Sequence, residues 1–239
     1  MLKKPTYTFF GERAILIAWE AVMSEEIIQD ITRFEQFISL EKLQLIEDSI
    51  IGYNSLMLIY KNEPEKEEIE SLQELYKNGN ASIEIQNYLW KIPVCYGTRF
   101  GVDLEELTKS LQLTPEELIQ KHSTTVYSVY FIGFLPGFLY LGGLEKCLHF
   151  PRKATPRLEV AKGSVAIGGS QTGIYPQQSA GGWNIIGRTP ISLFDVTKEI
   201  PCFAKSGDKI QFVPITLSEY EKITAQKEKY QLLKTLLDD

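Results

Sequence analysis

Residues Tyr127–Pro190 read YSVYFIGFLPGFLYLGGLEKCLHFPRKATPRLEVAKGSVAIGGSQTGIYPQQSAGGWNIIGRTP. Short β-branched or aromatic runs, VYSVYFI (126–132), SVAIGG (164–169) and WNIIG (183–187), are cut here by glycine and proline. The pattern continues through ISLFDV (191–196) and KIQFVPI (209–215). Runs of this length between turn residues predict a compact all-β barrel or sandwich over Thr124–Pro214. Eleven of the chain's 17 glycines lie between Gly133 and Gly187. From Gly133 to Pro190 two acids face six bases, so this segment carries +4 in a chain of net −6. Successive turn amides with arginines make concavities for phosphate or carboxylate. A barrel with many tight turns needs the same glycines for geometry alone.

Working towards the N-terminus, the character changes. Ala14–Trp19 is a buried-strand run, Ser24 can cap a helix, and Ile27, Ile31, Phe34 and Ile38 recur at helical spacing. Gln44–Glu47 and Ser55–Tyr60 read as strands, and Pro64 opens a second helix with Ile69, Leu72 and Leu75 on its apolar stripe. A strand around Tyr88–Val94 would complete the order β-α-β-β-α-β, the split βαβ or ferredoxin-like α+β sandwich. We therefore expect a ferredoxin-like domain over residues 1–90 and a β-barrel domain over 91–239 with a helical connector and a C-terminal helix. The connector holds a short helix at Asp103–Leu111, then Thr114-Pro115-Glu116-Glu117, a complete helix start running to about His122. Ser218 with Glu221 predicts the last helix, with Tyr220, Ile223, Leu233 and Leu237 packing and the KEK stretch at 227–229 facing water.

Composition excludes several classes. An acidic pI of about 5.2 argues against general nucleic-acid binding. No apolar run approaches a membrane helix, and the N-terminus has no signal-peptide pattern. Three widely spaced cysteines suit a reducing cytoplasm, where the protein is expected. His122 and His149 have no ligand partners at metal spacing, so no metal site is predicted. There is no P-loop and no nucleophile elbow. The denser constellation is Gln171, Thr172 and Tyr175 between glycines, then Trp183 after Gly181-Gly182, then Arg188. Together these suit a small amide or carboxylate beside an anion. Each taken singly also suits a core or ion-pair role, and His122 at a helix end suits a dipole-complementing one.

GFLPGFLYLGGL (133–144), FPRKATPR (150–157), AKGSVAIGGSQTGIYP (161–176) and AGGWNIIGRTPISLFD (180–195), with GERAILI (11–17), YNSLMLIY (53–60) and IPVCYG (92–97), resemble one bacterial family nearly end to end. It is the family of the 5-oxoprolinase B subunit, also called allophanate hydrolase subunit 1 or KipI-like. The resemblance implies a ferredoxin-like domain plus a cyclophilin-like barrel, the second half resembling part of the carboxyltransferase domain of urea carboxylase. It implies ATP-dependent opening of 5-oxoproline to L-glutamate, with Mg²⁺ accompanying ATP. It also implies companion subunits A and C, the latter allophanate hydrolase subunit 2-like, and little activity alone. Carried onto matching positions, the catalytic candidates are His122, Arg157, Gln171 and Arg188, and the binding candidates Thr172, Tyr175 and Trp183. The implied roles place Arg157 and Arg188 on anionic groups and Gln171 and Thr172 on lactam or phosphate oxygens. Tyr175 and Trp183 would wall the pocket, and His122 would move a proton. Other readings within reach are an inhibitor of a sensor histidine kinase, a related allophanate or urea enzyme, and, by fold analogy alone, a prolyl isomerase. One departure stands out: where the family reads C-Y-G-G-E-F-G-P-D-L, this chain has Thr98, Arg99 and Val102.

Overall fold

In the computed structural model, which describes residues 2–79, 85–97, 99–226 and 231–237, the chain divides into two units, Met1–Gln86 and Asn87–Asp239. In the first, β1 (Thr6–Phe10), β2 (Ala14–Ala18), β3 (Ile46–Ile51) and β4 (Ser55–Tyr60) form an antiparallel sheet in the order β1-β2-β4-β3. Helices α1 (Glu25–Glu41) and α2 (Glu68–Gly79) complete it. Strand β4 pairs antiparallel with both β2 and β3, so these two run parallel to one another, with α1 between them in sequence; the expected order was β-α-β-β-α-β. The fourth strand differs: it is β1, which joins β2 by a turn at Gly11, and the strand at Tyr88 belongs to the other unit. β1 is an edge strand whose residues are almost all exposed, so it lacks the alternation that marks a half-buried strand. Ile15 and Ile17, Leu56 and Leu58, and Ile27, Ile31, Phe34, Ile38 and Leu72 share one core. α2 starts at Glu68 rather than Pro64.

The second unit is a barrel. Its strands are β5 (Tyr88–Tyr96), β6 (Val126–Ile132), β7 (Leu139–Gly142), β9 (Ser164–Gly168), β10 (Gln171–Ile174), β12 (Asn184–Arg188) and β13 (Lys209–Pro214). Among the described residues these seven close in the order β12-β9-β10-β7-β6-β13-β5 and back to β12 through Gly187 opposite Tyr96 and Arg188 opposite Cys95. A hairpin-like pair, β8 (Arg157–Val160) with β11 (Ser179–Gly181), stands apart from the ring. The period of two sorts the walls. Leu139, Leu141, Val165, Ile167, Ile174, Val129, Ile210 and Phe212 fill the interior. Phe138, Ala166, Tyr175, Trp183, Ile185 and Val160 make a second cluster outside it.

The connector supplies α3 (Leu104–Leu111) and α4 (Pro115–Thr124), the latter with its Thr114–Glu117 capping box in place. At the C-terminus, α5 (Leu217–Ala225) is capped by Thr216 with Glu219, two residues before the expected Ser218 and Glu221. Leu233 lies in β14 (Leu233–Leu236), which adds to the first half of β5 and is no part of that helix. The KEK stretch at 227–229 lies outside the described residues.

Candidate functional site

The outer wall of the barrel gathers three of the seven candidate residues, Gln171, Tyr175 and Trp183, and Arg157 borders it. Trp183 precedes β12 and lies flat on the sheet over Gly168, where any Cβ would strike the indole. Gly181 makes room in the same way for the Tyr175 ring. Around Trp183 stand Phe138 and Tyr140, edge-on at 5.6 and 5.9 Å, and Phe131 stacks on Tyr140 at 4.3 Å. Gln171 opposes Gly168 across β9–β10 and is buried. Above this wall the exposed Arg152 guanidinium sits 5.3 Å from the Trp183 ring centre. Among the described residues no carboxylate lies within ion-pair distance of Arg152. Burial pushes the Tyr175 and Tyr140 phenols up, against an opposing pull from Arg152, so both stay neutral hydroxyls at physiological pH. An uncommitted guanidinium on an aromatic plate, with phenols and an amide beside it, suits a planar anionic group.

Arg157 is committed elsewhere. Its guanidinium forks onto Asp103, with Nη1 at 2.9 Å from Oδ2 and Nη2 on Oδ1. Lys153 Nζ reaches Asp103 Oδ1 at 3.0 Å, and the Ile185 N–H donates to Oδ2 at 2.7 Å. Burial alone would raise the Asp103 pKa; the hydrogen bonds from Arg157, Ile185 and Lys153 outweigh it and hold the carboxyl below its usual range. With its charge neutralised, Arg157 ties β8 to the start of α3 and is not a free anion receptor.

His122 and Thr172 lie behind the wall, inside the barrel. Thr172 Oγ1 donates to Ala166 O at 3.0 Å, so it accepts from His122 Nε2–H at 2.8 Å. Nδ1 then accepts from the Tyr96 hydroxyl at 2.8 Å. The ring stacks on Phe212 at 4.6 Å, and the Tyr127 hydroxyl donates to the His122 carbonyl. Complete burial lowers the imidazole pKa to about 3. A neutral ring with both nitrogens engaged and no exposure cannot exchange a proton with a ligand in solution. In this arrangement His122 locks α4 into the barrel.

Arg188 ends β12, roughly 16 Å along the strand from Trp183 at about 3.3 Å per residue. Its guanidinium lies 4.9 Å from the Phe100 ring centre, where Arg99 also sits at 5.4 Å while pairing with Glu221 at 3.1 Å. Arg188 Nε is buried and finds no hydrogen-bond partner among the described residues. The departure at Arg99 thus puts a second cation beside Arg188, with Glu221 as its counter-charge; Thr98 lies outside the described residues. Arg152 and Asp103 were not candidates from the sequence. Arg152 sits in an irregular loop, so no periodicity marks it, and Asp103 reads locally as the first residue of a short helix.

The description "Carboxyltransferase domain, subdomain C and D" matches residues 5–204. The chain is 36% identical over 222 residues to the B subunit of 5-oxoprolinase from Bacillus subtilis, covering 88% of this chain and 92% of that one. To the corresponding 5-oxoprolinase B subunit of Escherichia coli O157:H7 it is 39% identical over 207 residues, covering 85% and 93%. Among solved structures, TTHA0988 superposes with a TM-score of 0.74 at 30% identity over 85% of this chain, which spans only 40% of that longer protein. No helix among the described residues is long and apolar enough to cross a membrane. The barrel, its glycine-seated tryptophan wall and these matches over most of its length make the chain a member of the carboxyltransferase domain, subdomain C and D family.

Proposed function

We propose that this chain is the B subunit of an ATP-dependent 5-oxoprolinase, acting in the cytoplasm with subunits A and C to open 5-oxoproline to L-glutamate. The observation that carries the reading onto a place is the uncommitted Arg152 over Trp183, flanked by Tyr140, Tyr175 and Gln171. 5-Oxoproline is a carboxylate on a flat lactam. Its carboxylate suits the exposed Arg152 guanidinium, which the buried Trp183 plate backs from beneath. Arg152 is the exposed edge of this wall, and we infer that the C subunit docks over it. We read the barrel as cyclophilin-like and the first unit as a ferredoxin-like sheet whose last strand is supplied by β1.

ATP would supply the phosphoryl group that turns the lactam oxygen into a leaving group. Arg188, roughly 16 Å along β12 from Trp183 at about 3.3 Å per residue, stands too far away to hold the phosphoryl group passing to a lactam there, so the donors around that phosphate would come from a companion chain. Among the described residues no cluster of three His, Cys, Asp or Glu side chains could hold a metal. Mg²⁺ would therefore arrive on the nucleotide, held by its phosphates. Arg152, held in place over Trp183, would orient the lactam by its carboxylate, which is the positioning that such chemistry requires of the protein.

ATP-dependent glutamate release from 5-oxoproline, measured with and without subunits A and C, tests the activity. We expect release only in the full mixture and at least a tenfold fall in kcat/KM for Arg152→Ala, about 1.4 kcal/mol of lost stabilisation. Unchanged turnover would remove Arg152 from the site. Absence of release in the full mixture, with inhibition of a sensor histidine kinase by this chain, would overturn the assignment.

Phe134 tests the covering partner. Its φ of +65° is a left-handed conformation that costs a bulky side chain, yet the residue is 63% exposed. Phe134→Gly relieves that strain, so the thermal midpoint should not fall, while association with the C subunit weakens. A variant that assembles as tightly as the parent would take Phe134 out of the interface.

A further inference from the structure

We propose that the N-terminal unit carries a binding site for a small carboxylic acid with a second carbonyl group, in the cleft between β1 and α2. The cleft is a half-open cavity of about 460 Å³ lined by Lys4, Pro5, Tyr7, Gln73, Tyr76 and Lys77. Its two ends differ in chemistry. At the rim stand the exposed Lys4, Lys77 and Gln73, and no acid lies within ion-pair distance of either lysine among the described residues. In a chain of net −6, two uncommitted ammonium groups on one opening mark an anion entrance.

At the floor, the Tyr7 hydroxyl is buried and has no hydrogen-bond partner among the described residues. A buried polar atom left unpaired is costly, and native structures carry few without a ligand, water or function to explain them. The neighbouring Tyr76 hydroxyl is already given to Asp30 Oδ2, which also accepts from Trp19 Nε1 at 2.7 Å. Burial, with Tyr76 and Asp30 nearby, raises the Tyr7 pKa, so its hydroxyl keeps its proton and can donate. Asp30 behind the floor repels a negative charge there. The ligand's carboxylate therefore belongs at the lysine rim and a neutral carbonyl at Tyr7, with its body against Pro5 and the two tyrosine rings. Among the described residues no glycine-rich amide nest of the kind that cradles phosphate adjoins the cleft. The anion proposed here is therefore a carboxylate, and inorganic phosphate is the control that distinguishes it.

The inference does not rest on the activity proposed for the barrel, and its test uses the full chain in an Arg152→Ala background to keep the two sites apart. Isothermal titration would use three probes: 5-oxoproline, with carboxylate and carbonyl; cyclopentanecarboxylate, with the first only; and 2-pyrrolidone, with the second only. We expect 5-oxoproline to bind at least fivefold tighter than either partial probe and Lys4→Met/Lys77→Met to weaken it at least tenfold. Tyr7→Phe should erase the preference over cyclopentanecarboxylate while raising the apo thermal midpoint by about 3 °C, because it deletes an unpaired buried hydroxyl. Binding unaffected by the double lysine change, or equal binding of inorganic phosphate, would overturn the site. Binding present in the parent but lost in the Arg152→Ala background would place the ligand on the barrel wall and overturn it too.

Discussion

Replacing Asp103 with alanine is expected to cost the barrel unit about 3 kcal/mol of unfolding free energy. The Asp103 side chain is 3% exposed and serves Arg157 through two bonds, Lys153 and the Ile185 N–H. Its loss strands a buried backbone donor, worth about 1–3 kcal/mol. It also removes the counter-charge of two cations. Arg157 and Lys153 side chains remain 31% and 21% exposed, so water takes up part of their charge and the loss falls at the lower end for a broken buried pair. Asp103→Asn keeps an acceptor for Ile185 and should lose less than alanine does. Denaturant unfolding followed by Trp90 and Trp183 fluorescence, in a Trp19→Phe background, reads this unit alone. A loss under about 1 kcal/mol would mean that the network is not structural. The sign of the pH effect follows from the lowered pKa. The folded carboxyl holds its proton less tightly than the unfolded one, so this stabilisation is present at neutral pH and is lost as pH falls below the usual aspartate range through the folded pKa.

Acid should weaken the barrel earlier than that, through His122. Folded, the imidazole stays neutral down to a pKa of about 3, whereas the unfolded ring protonates near pH ~6.5. Between those values the unfolded chain binds one more proton. Stability therefore falls with falling pH by up to about 1.4 kcal/mol per pH unit. From about pH 6.5 to about pH 5 that approaches about 2 kcal/mol, well before Asp103 begins to titrate. His122→Gln retains polar atoms for Tyr96 and Thr172 but cannot charge, so its stability should be nearly flat across the same interval. Parallel slopes for parent and variant would show that the ring is hydrated or charged in the folded protein. Because Tyr96, Thr172, Phe212 and Tyr127 belong to four different strands of the barrel, protonation would release α4 from several of them at once.

The site itself divides in the fold. Tyr175, Trp183 and Gln171 share a wall with Arg152; His122 and Thr172 brace it from within; Arg157 is spent on Asp103; and Arg188 waits at the far end of β12 with Phe100. A chemistry that uses both Arg152 and Arg188 must span that distance or draw on residues of a companion chain.

What could be read from the sequence follows from interactions between near neighbours along the chain. The period-two runs and their glycine and proline breaks marked the barrel, the Ile27–Ile38 stripe marked α1, and Thr114-Pro115-Glu116-Glu117 marked the start of α4. Strand β4 is legible at its full length because alternate residues face the core. β1 was invisible because an exposed edge strand buries too little to impose a pattern, and β14 for the same reason. That the strand at Tyr88 joins the barrel rather than the first sheet depends on its parallel pairing with β13, in which Leu89 meets Lys209 from far along the chain. The partners Arg157 and Asp103 are 54 residues apart, and His122 and Thr172 are 50 apart. Charge and hydrogen-bonding capacity are written residue by residue, but whether an arginine is spent or free is decided only when closure of the barrel brings its counter-ion to it.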